Sequence, residues 1–355
     1  MPLMATYTRE VVEAIERIAP TALAEDWDNP GLQVGDPDGV VDGVLVALTP
    51  LPEVFDEVEE LGANFLLFHH PLIFQSLKSV DITSYPGDLI SRAVRYNLTV
   101  YAAHTNYDAA PGGVSVALAN SLGLEGLLSV VVPRGSLRKL TVFVPEENAD
   151  IMVDVLAKAG ADIIGKHTHY AFRAPETGSC ADDNGQSEKA LELRLEAVIP
   201  THAAVQATAA TRAVHPYEEP VLAVFPVDGH PKGCGYGRLG SLPEPLTPEE
   251  LCDHVWKSLG FPARLVANPH PQRSLRSVAV LGGSGGSFVR EAALSHADAY
   301  ITGDLDYHEG LLAETLGLIA IDAGHAATEL PSLEPLAQRL AGLVDVPVSV
   351  SRVRR

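Results

Sequence analysis

Apolar and polar positions follow the same order in two distant parts of the chain. The stretch "GVLVALTPLPEVFDEVEELGANFLLFHH" (43–70) reads as strand, turn, helix, strand, and "SVAVLGGSGGSFVREAALSHADAYITGD" (277–304) has the same order and length. Laying one on the other puts Ala63 on Ala297, Asn64 on Asp298 and His70 on Asp304. Each copy continues into a helix and another strand, "LISRAVRYNLTVYAAHTNYD" and "LLAETLGLIAIDAGHAATE". Both end on a histidine followed four positions later by a carboxylate, His104 with Asp108 and His325 with Glu329. The first copy carries a longer connection, "PLIFQSLKSVDITSYPGD". Strands alternating with helices predict α/β/α layering around a parallel or mixed sheet. In such sheets, ligand-binding groups collect at the carboxyl ends of strands, and all four polar clusters fall at such ends.

Between the copies the pattern changes. From Leu137 it predicts a strand ("RKLTVFVP"), a helix ("ENADIMVDVLAKAGA") and a strand ("HTHYAFRA"). A polar hairpin ("PETGSCADDNGQSEKA") leads to a strand ("LELRLEAVIP"), a helix ("HAAVQATAATRAV") and a strand ("EEPVLAVFPV"). This β-α-β-β-α-β order is that of a ferredoxin-like α+β domain. We therefore expect 1–136 and 231–355 to form the two halves of an α/β core, with 137–230 inserted between Pro- and Gly-rich joins.

Composition narrows the function classes. With Lys plus Arg 25 against Asp plus Glu 46, the 355-residue chain carries a formal charge of −21. That argues against a broad nucleic-acid or anionic-membrane surface, both of which need clustered positive charge. Cys180, Cys234 and Cys252 are odd in number and far apart, so neither a disulfide framework nor a Cys-based zinc site is expected. The first residues read as an amphipathic helix without a signal core, and no apolar run is long enough for a membrane span, so a cytoplasmic location is the expectation.

The candidate chemistry begins at "NFLLFHHPLIF", where a buried-strand pattern runs into His69 and His70 and Pro71 ends the pairing. Neutral imidazole is a common metal ligand, and a turning strand end can bring both rings to one cavity. Hydrogen-bonded core histidines are the plainer alternative. A lone His-x-x-x-carboxylate is ordinarily a surface ion pair, but His325 and Glu329 converge if a helix starts just after their strand. Two such pairs at matching places, beside a double histidine, favour metal. Imidazoles and carboxylates without thiols suit Mn, Fe, Zn, Co or Ni, including two ions bridged by a carboxylate. "LGGSGGSF" (281–288) either holds an anion on its backbone or permits close helix–strand packing. Asp304 is either a helix cap or a support or proton-transfer group for the site, with His308 four residues beyond it in "TGDLDYH". "WDNPGLQVG" (27–35) reads as a turn capped by Asp28 and Asn29. His167 and His169 read as surface residues, and "HPYEEP" (215–220) as a structural turn.

Taken together, "WDNPGLQVG", "FHHPLIF", "AAHTNYDAAPGG", "LGGSGGS", "ADAYITGDLDYHE" and "DAGHAATE" resemble the NIF-three-like proteins, also named GTP cyclohydrolase 1 type 2 homologues. The resemblance implies two intertwined α/β units around a dinuclear metal site, with a middle insertion similar to PII and CutA proteins. It implies the ligands His69, His70, Asp108, His325 and Glu329, with Glu329 bridging two divalent ions and His104 beside them. It further implies a homohexamer and hydrolysis of a small molecule, GTP or a related nucleotide. His104, Asp304 and His308 would then be the proton-transfer candidates. The alternative is a non-catalytic metal-binding scaffold whose middle domain senses a small ligand or a partner.

Overall fold

The structure, a computed structural model, describes residues 5–131, 137–158, 171–181, 187–227 and 233–354. The chain divides into two compact units, Met1–Val131 with Gly235–Arg355, and Val132–Cys234.

The first unit holds two sheets whose central strands are parallel. One runs Val348–Val350, Val44–Ala47, Phe65–Phe68, Thr99–Ala102, Gly31–Val34, with only the last antiparallel to its neighbour. The other runs Arg264–Ala267, Ile319–Asp322, Ala299–Gly303, Leu275–Ser284, Tyr236–Leu246, Glu125–Val131; its first and last two strands pair antiparallel. Each half gives a strand to the other's sheet. Glu125–Val131 ends the second sheet, and Val348–Val350 ends the first.

The repeat extends to single hydrogen bonds. The Asn64 side chain accepts from the Asp42 N–H at 2.9 Å, and Asp298 accepts from the N–H groups of Arg276 and Ser277 at 2.9 Å each. The Asn64 carbonyl then accepts from Thr99, and the Asp298 carbonyl from Ile319, so both residues tie one strand to the next. Phe65, Leu66, Leu67 and Phe68 are all fully buried. Phe65 and Leu67 enter one apolar cluster while Leu66 and Phe68 enter another, as strand alternation requires when both faces are covered. Each such side chain stabilises the fold by roughly 1.5–3 kcal/mol. His69 and His70 follow directly from this rigid strand.

Tyr236–Leu246 is a strand that hydropathy does not announce, because Gly237, Gly240, Pro243 and Pro245 interrupt its pattern. It forms because partners on both sides complete its ladder, with the register shifting between Ser241 and Leu246 where the prolines lie.

The returning C-terminal strand is clamped through Glu57. Its buried carboxylate accepts from the Ser351 hydroxyl at 2.6 Å, the Arg352 N–H at 3.1 Å and the Arg352 Nε at 2.9 Å. Burial alone would raise this carboxyl, but Ser351 and Arg352 outweigh it and hold it below its usual value. The folded protein therefore binds this proton less readily than the unfolded chain. The resulting stability is present above the unfolded carboxylate range and is lost as pH falls through the folded value. Glu57→Gln is expected to lower unfolding stability by about 1–3 kcal/mol near neutral pH. Denaturant titration should show the difference from wild type shrinking as the medium is made acid.

The second unit follows a β-α-β-β-α-β order. Its antiparallel sheet runs Leu222–Val227, Leu137–Val144, Ser187–Pro200, Phe172–Ala181, with helices Ala149–Lys158 and Ala204–Val214. Leu140, Val142, Met152, Leu156, Leu195 and Ile199 form its core. The polar stretch expected as a hairpin is largely strand, since pairing runs as far as Ala181 with Ser187. Pro175 is accommodated because Phe172–Ala181 is an edge strand. His215 is a structural residue: one ring nitrogen bonds the Phe143 carbonyl at 2.8 Å, and the other accepts from the Tyr217 N–H at 3.1 Å. His167 and His169 lie outside the described residues.

Candidate metal centre

Four strand ends deliver the polar groups of the first unit. His69 and His70 follow Phe65–Phe68, and His104 follows Thr99–Ala102. Asp108 lies in the short helix Thr105–Ala109, one turn beyond His104. His325 opens the helix His325–Glu329, and Glu329 closes it, so one turn places both on the same side. Pro331 falls in the first turn of the following 3₁₀ segment, where its missing N–H leaves nothing unpaired.

The two repeats meet at Glu329. Its carboxylate lies 3.5 Å from His69 Nε2, 3.1 Å from His70 Nε2 and 3.2 Å from His325 Nε2. Asp108 is 3.7 Å from His69 Nε2, and the Nε2 atoms of His70 and His325 are 3.3 Å apart. Among the described residues, His70, His325 and Glu329 form one group able to hold a cation, and His69, His70 and His104 form another.

Every one of these imidazoles is anchored through Nδ1, leaving Nε2 to the site. His69 Nδ1 bonds the Ala103 carbonyl at 2.9 Å, and His70 Nδ1 bonds Thr49 Oγ1 at 3.1 Å. His325 Nδ1 bonds Asp304 at 2.7 Å, and His104 Nδ1 bonds Asp28 at 2.7 Å. Such anchoring of the distal nitrogen is how ligating histidines are held. The facing atoms His69 Nε2, Asp108 Oδ1 and Glu329 Oε2 are buried without a hydrogen-bond partner. Buried polar atoms converging without partners fit a cation that would satisfy them together.

Charge tells the same story. Burial raises Asp108 to about 6. Burial would also raise Glu329, but His69, His325 and His70 hold it well below the usual carboxylate range. Burial would lower His69, yet Asp108 and Glu329 keep its proton on to about pH 9. Glu329, against burial, does the same for His325, also to about 9. Burial prevails at His70, which is lowered. Two protons thus sit where cations fit, so acid should expel metal and rising pH should favour it.

The glycines of the Gly-Ser stretch permit close packing, while Ser284 and Ser287 line the cavity beside Glu329. Gly283 has φ +75°, and a Cβ there would collide with Glu329 Oε1; a Cβ at Gly286 would collide with the Glu309 carboxylate. The helix behind the stretch, Val289–Leu294, is only six residues long.

Of the residues expected to transfer protons, His104 lines the cavity that opens beside Glu329. Asp304 does not cap the next helix; Asp306 does, and Asp304 adopts a left-handed turn (φ 57°) that carries its carboxylate to His325. His308 is not brought to the cavity: it is exposed on the helix Tyr307–Thr315, its ring against Tyr307. Asp28, expected only to cap a turn, is the residue that sequence reasoning undervalued. Its side chain is fully buried and accepts from His104, from the Thr105 N–H at 3.0 Å and from the Thr105 hydroxyl at 2.5 Å. Burial would raise it, but His104 and Thr105 bring it down to about 2. Only the resemblance of "WDNPGLQVG" flagged this stretch. Asp28→Asn keeps the shape and removes the charge that orients His104. Turnover is expected to fall roughly 10–100-fold with metal content unchanged. Loss of metal in elemental analysis of that variant would instead make His104 a ligand.

The family model of DUF34/NIF3 (NGG1p interacting factor 3) matches residues 6–355. The chain belongs to this family. A Halalkalibacterium halodurans relative is 36% identical over 89% of this chain and 87% of its own length, and a Mycobacterium tuberculosis relative is 36% identical over 92% and 89%. Both bear the name GTP cyclohydrolase 1 type 2 homolog. The crystal structure of a Bacillus cereus protein related to NIF3 superposes with a TM-score of 0.88 at 35% identity, covering 99% of this chain and 98% of that one. Among the described residues no helix is long and apolar enough to cross a membrane.

Proposed function

We propose that the protein is a dinuclear metal-dependent hydrolase acting on a small molecule. The observation that carries this reading is Glu329, a buried carboxylate shared by three anchored imidazoles drawn from both repeats. His69, His70, Asp108, His325 and Glu329 would hold two divalent ions, with Glu329 between them. Such ions supply Lewis acidity and make water reactive at neutral pH. The rest falls to the chain's own side chains. Asp28 holds His104 with Nδ1 engaged, so His104 Nε2 is the atom placed to accept or return a proton. Asp304 sets the ring plane of His325. The relatives' name points toward opening of a purine ring in GTP as the reaction type.

Elemental analysis of purified protein, coupled to turnover assays with nucleotides and phosphoesters, tests the reading. About two transition-metal ions per chain are expected, with chelator-sensitive hydrolysis. Metal-free protein after reconstitution would end it. Metal without turnover of any substrate would favour the scaffold alternative.

We further read 137–230 as an independently folding ferredoxin-like domain. Replacing it with a short Gly/Ser linker should leave metal content unchanged. A folded but metal-free shortened protein would show that boundary or site is misplaced.

A further inference from the structure

The cavity beside Glu329 has a volume of about 710 Å³, enough for a ligand the size of a nucleoside. Its wall is aromatic from the first step away from the candidate ligands. Trp27 and Phe74 meet edge to face at 6.0 Å, and their rings lie 6.2 and 6.1 Å from that of His104. His104 in turn lies 5.3 Å from His69 and 5.7 Å from His70. Both Trp27 (61% exposed) and Phe74 (47% exposed) offer open ring faces. Across the cavity Tyr236 is 91% buried, as its 9% exposure shows, and its Oη has no hydrogen-bond partner. Glu25 lies beside that hydroxyl. A buried hydroxyl left unpaired costs stability unless a ligand's polar edge completes it.

Away from the candidate ligands, the charge lining this space is of one sign. Glu25 is the carboxylate there, and among the described residues that line the space none is Lys or Arg. Sites that take phosphoryl groups ordinarily clamp them with Arg or Lys. The Gly-Ser stretch lines the same cavity with Ser284 and Ser287 and so adds hydroxyls but no cation. A triphosphate whose base lay against the metal-side aromatics, with its phosphates directed away from the ligands, would trail its charges past Glu25 without a Lys or Arg to pair them.

We propose that the cavity binds a planar, uncharged nitrogen heterocycle, as a free base or nucleoside without phosphate, stacked on Trp27 and Phe74 with a polar edge toward Tyr236. The inference rests on reading the same site as a hydrolase centre and names the substrate class it takes. Base–aromatic stacking tolerates many ring systems, while the unpaired hydroxyl selects those with a polar edge.

The test is calorimetric titration of the metal-loaded full-length protein with guanosine and GTP, and with adenosine and ATP. At least one nucleoside is expected to bind roughly tenfold or more tightly than its triphosphate. Trp27→Ala, a change at an exposed position, should weaken that nucleoside roughly tenfold. Tyr236→Phe should weaken it too, and neither variant should lose metal. A triphosphate binding as tightly as its nucleoside, or no nucleoside binding at millimolar concentration, overturns the proposal. Metal content and turnover are measured on the same samples. Nucleoside binding without turnover would therefore sink the hydrolase reading and uphold the heterocycle site; hydrolysis confined to phosphate-bearing substrates would do the reverse.

Discussion

Glu329→Gln protein is expected to lose at least one of two bound metal ions and all hydrolytic activity while remaining folded. The substitution preserves size but leaves a neutral amide among three imidazoles that now meet a carboxylate at 3.1–3.5 Å. An amide is a weak ligand, and it cannot offset the repulsion between two cations. Outer partners of metal ligands alone typically cost 10–100-fold in affinity, so loss of a shared ligand should cost roughly 100-fold or more. Because metal affinity is coupled to folding, wild-type protein should melt at lower temperature when chelator is added. The variant should melt low in both conditions, and that insensitivity is the discriminating signal. Glu218→Gln, at an exposed position in the second unit, is the control and should change neither metal content nor the response to chelator. A Glu329→Gln protein with both ions and wild-type turnover would show that the site is misassigned.

Much of this site was legible because the repeat is written in the sequence. His104 with Asp108 and His325 with Glu329 sit at matching strand ends, and strand ends are where an α/β sheet gathers its polar groups. The equivalence of Asn64 and Asp298 follows from the same alignment, and both carry the same backbone connection. What stayed hidden depends on contacts between distant segments. Asp28 looks like any turn aspartate until His104, 76 residues away, is seen bonded to it. Likewise Tyr236–Leu246 has no strand pattern of its own and takes its conformation from two neighbours. His308 shows how little closeness in sequence says about place. It stands close to Asp304 in sequence, yet Asp304 reaches His325 while His308 is exposed on the helix Tyr307–Thr315. The glycines of "LGGSGGSF" were ambiguous for a related reason, since a sequence does not say which side chain needs the missing Cβ.

Gly283→Ala is expected to strip the centre of metal although residue 283 contributes no ligand. Its Cβ would occupy the place of Glu329 Oε1 and approach His325 Nε2 to 3.5 Å. Glu329 cannot retreat easily, because it is buried and Thr328, the residue before it, is tied by its Oγ1 to the Gly283 N–H at 2.9 Å. The carboxylate must therefore rotate away from the imidazoles or the loop must shift. Positive φ adds its own cost of roughly 1–2 kcal/mol for any residue bearing a Cβ. Gly62→Ala separates the two effects. Gly62 also has a positive φ, +64° against +75°, with nothing within 4 Å of an added Cβ. Both variants should melt lower than wild type, because each puts a Cβ on a backbone of positive φ. Only Gly283→Ala should also lose metal by elemental analysis and, with it, the wild-type response to chelator. Equal metal content in the two variants would mean that Glu329 is free to move, and the rigid shared carboxylate would no longer explain the site.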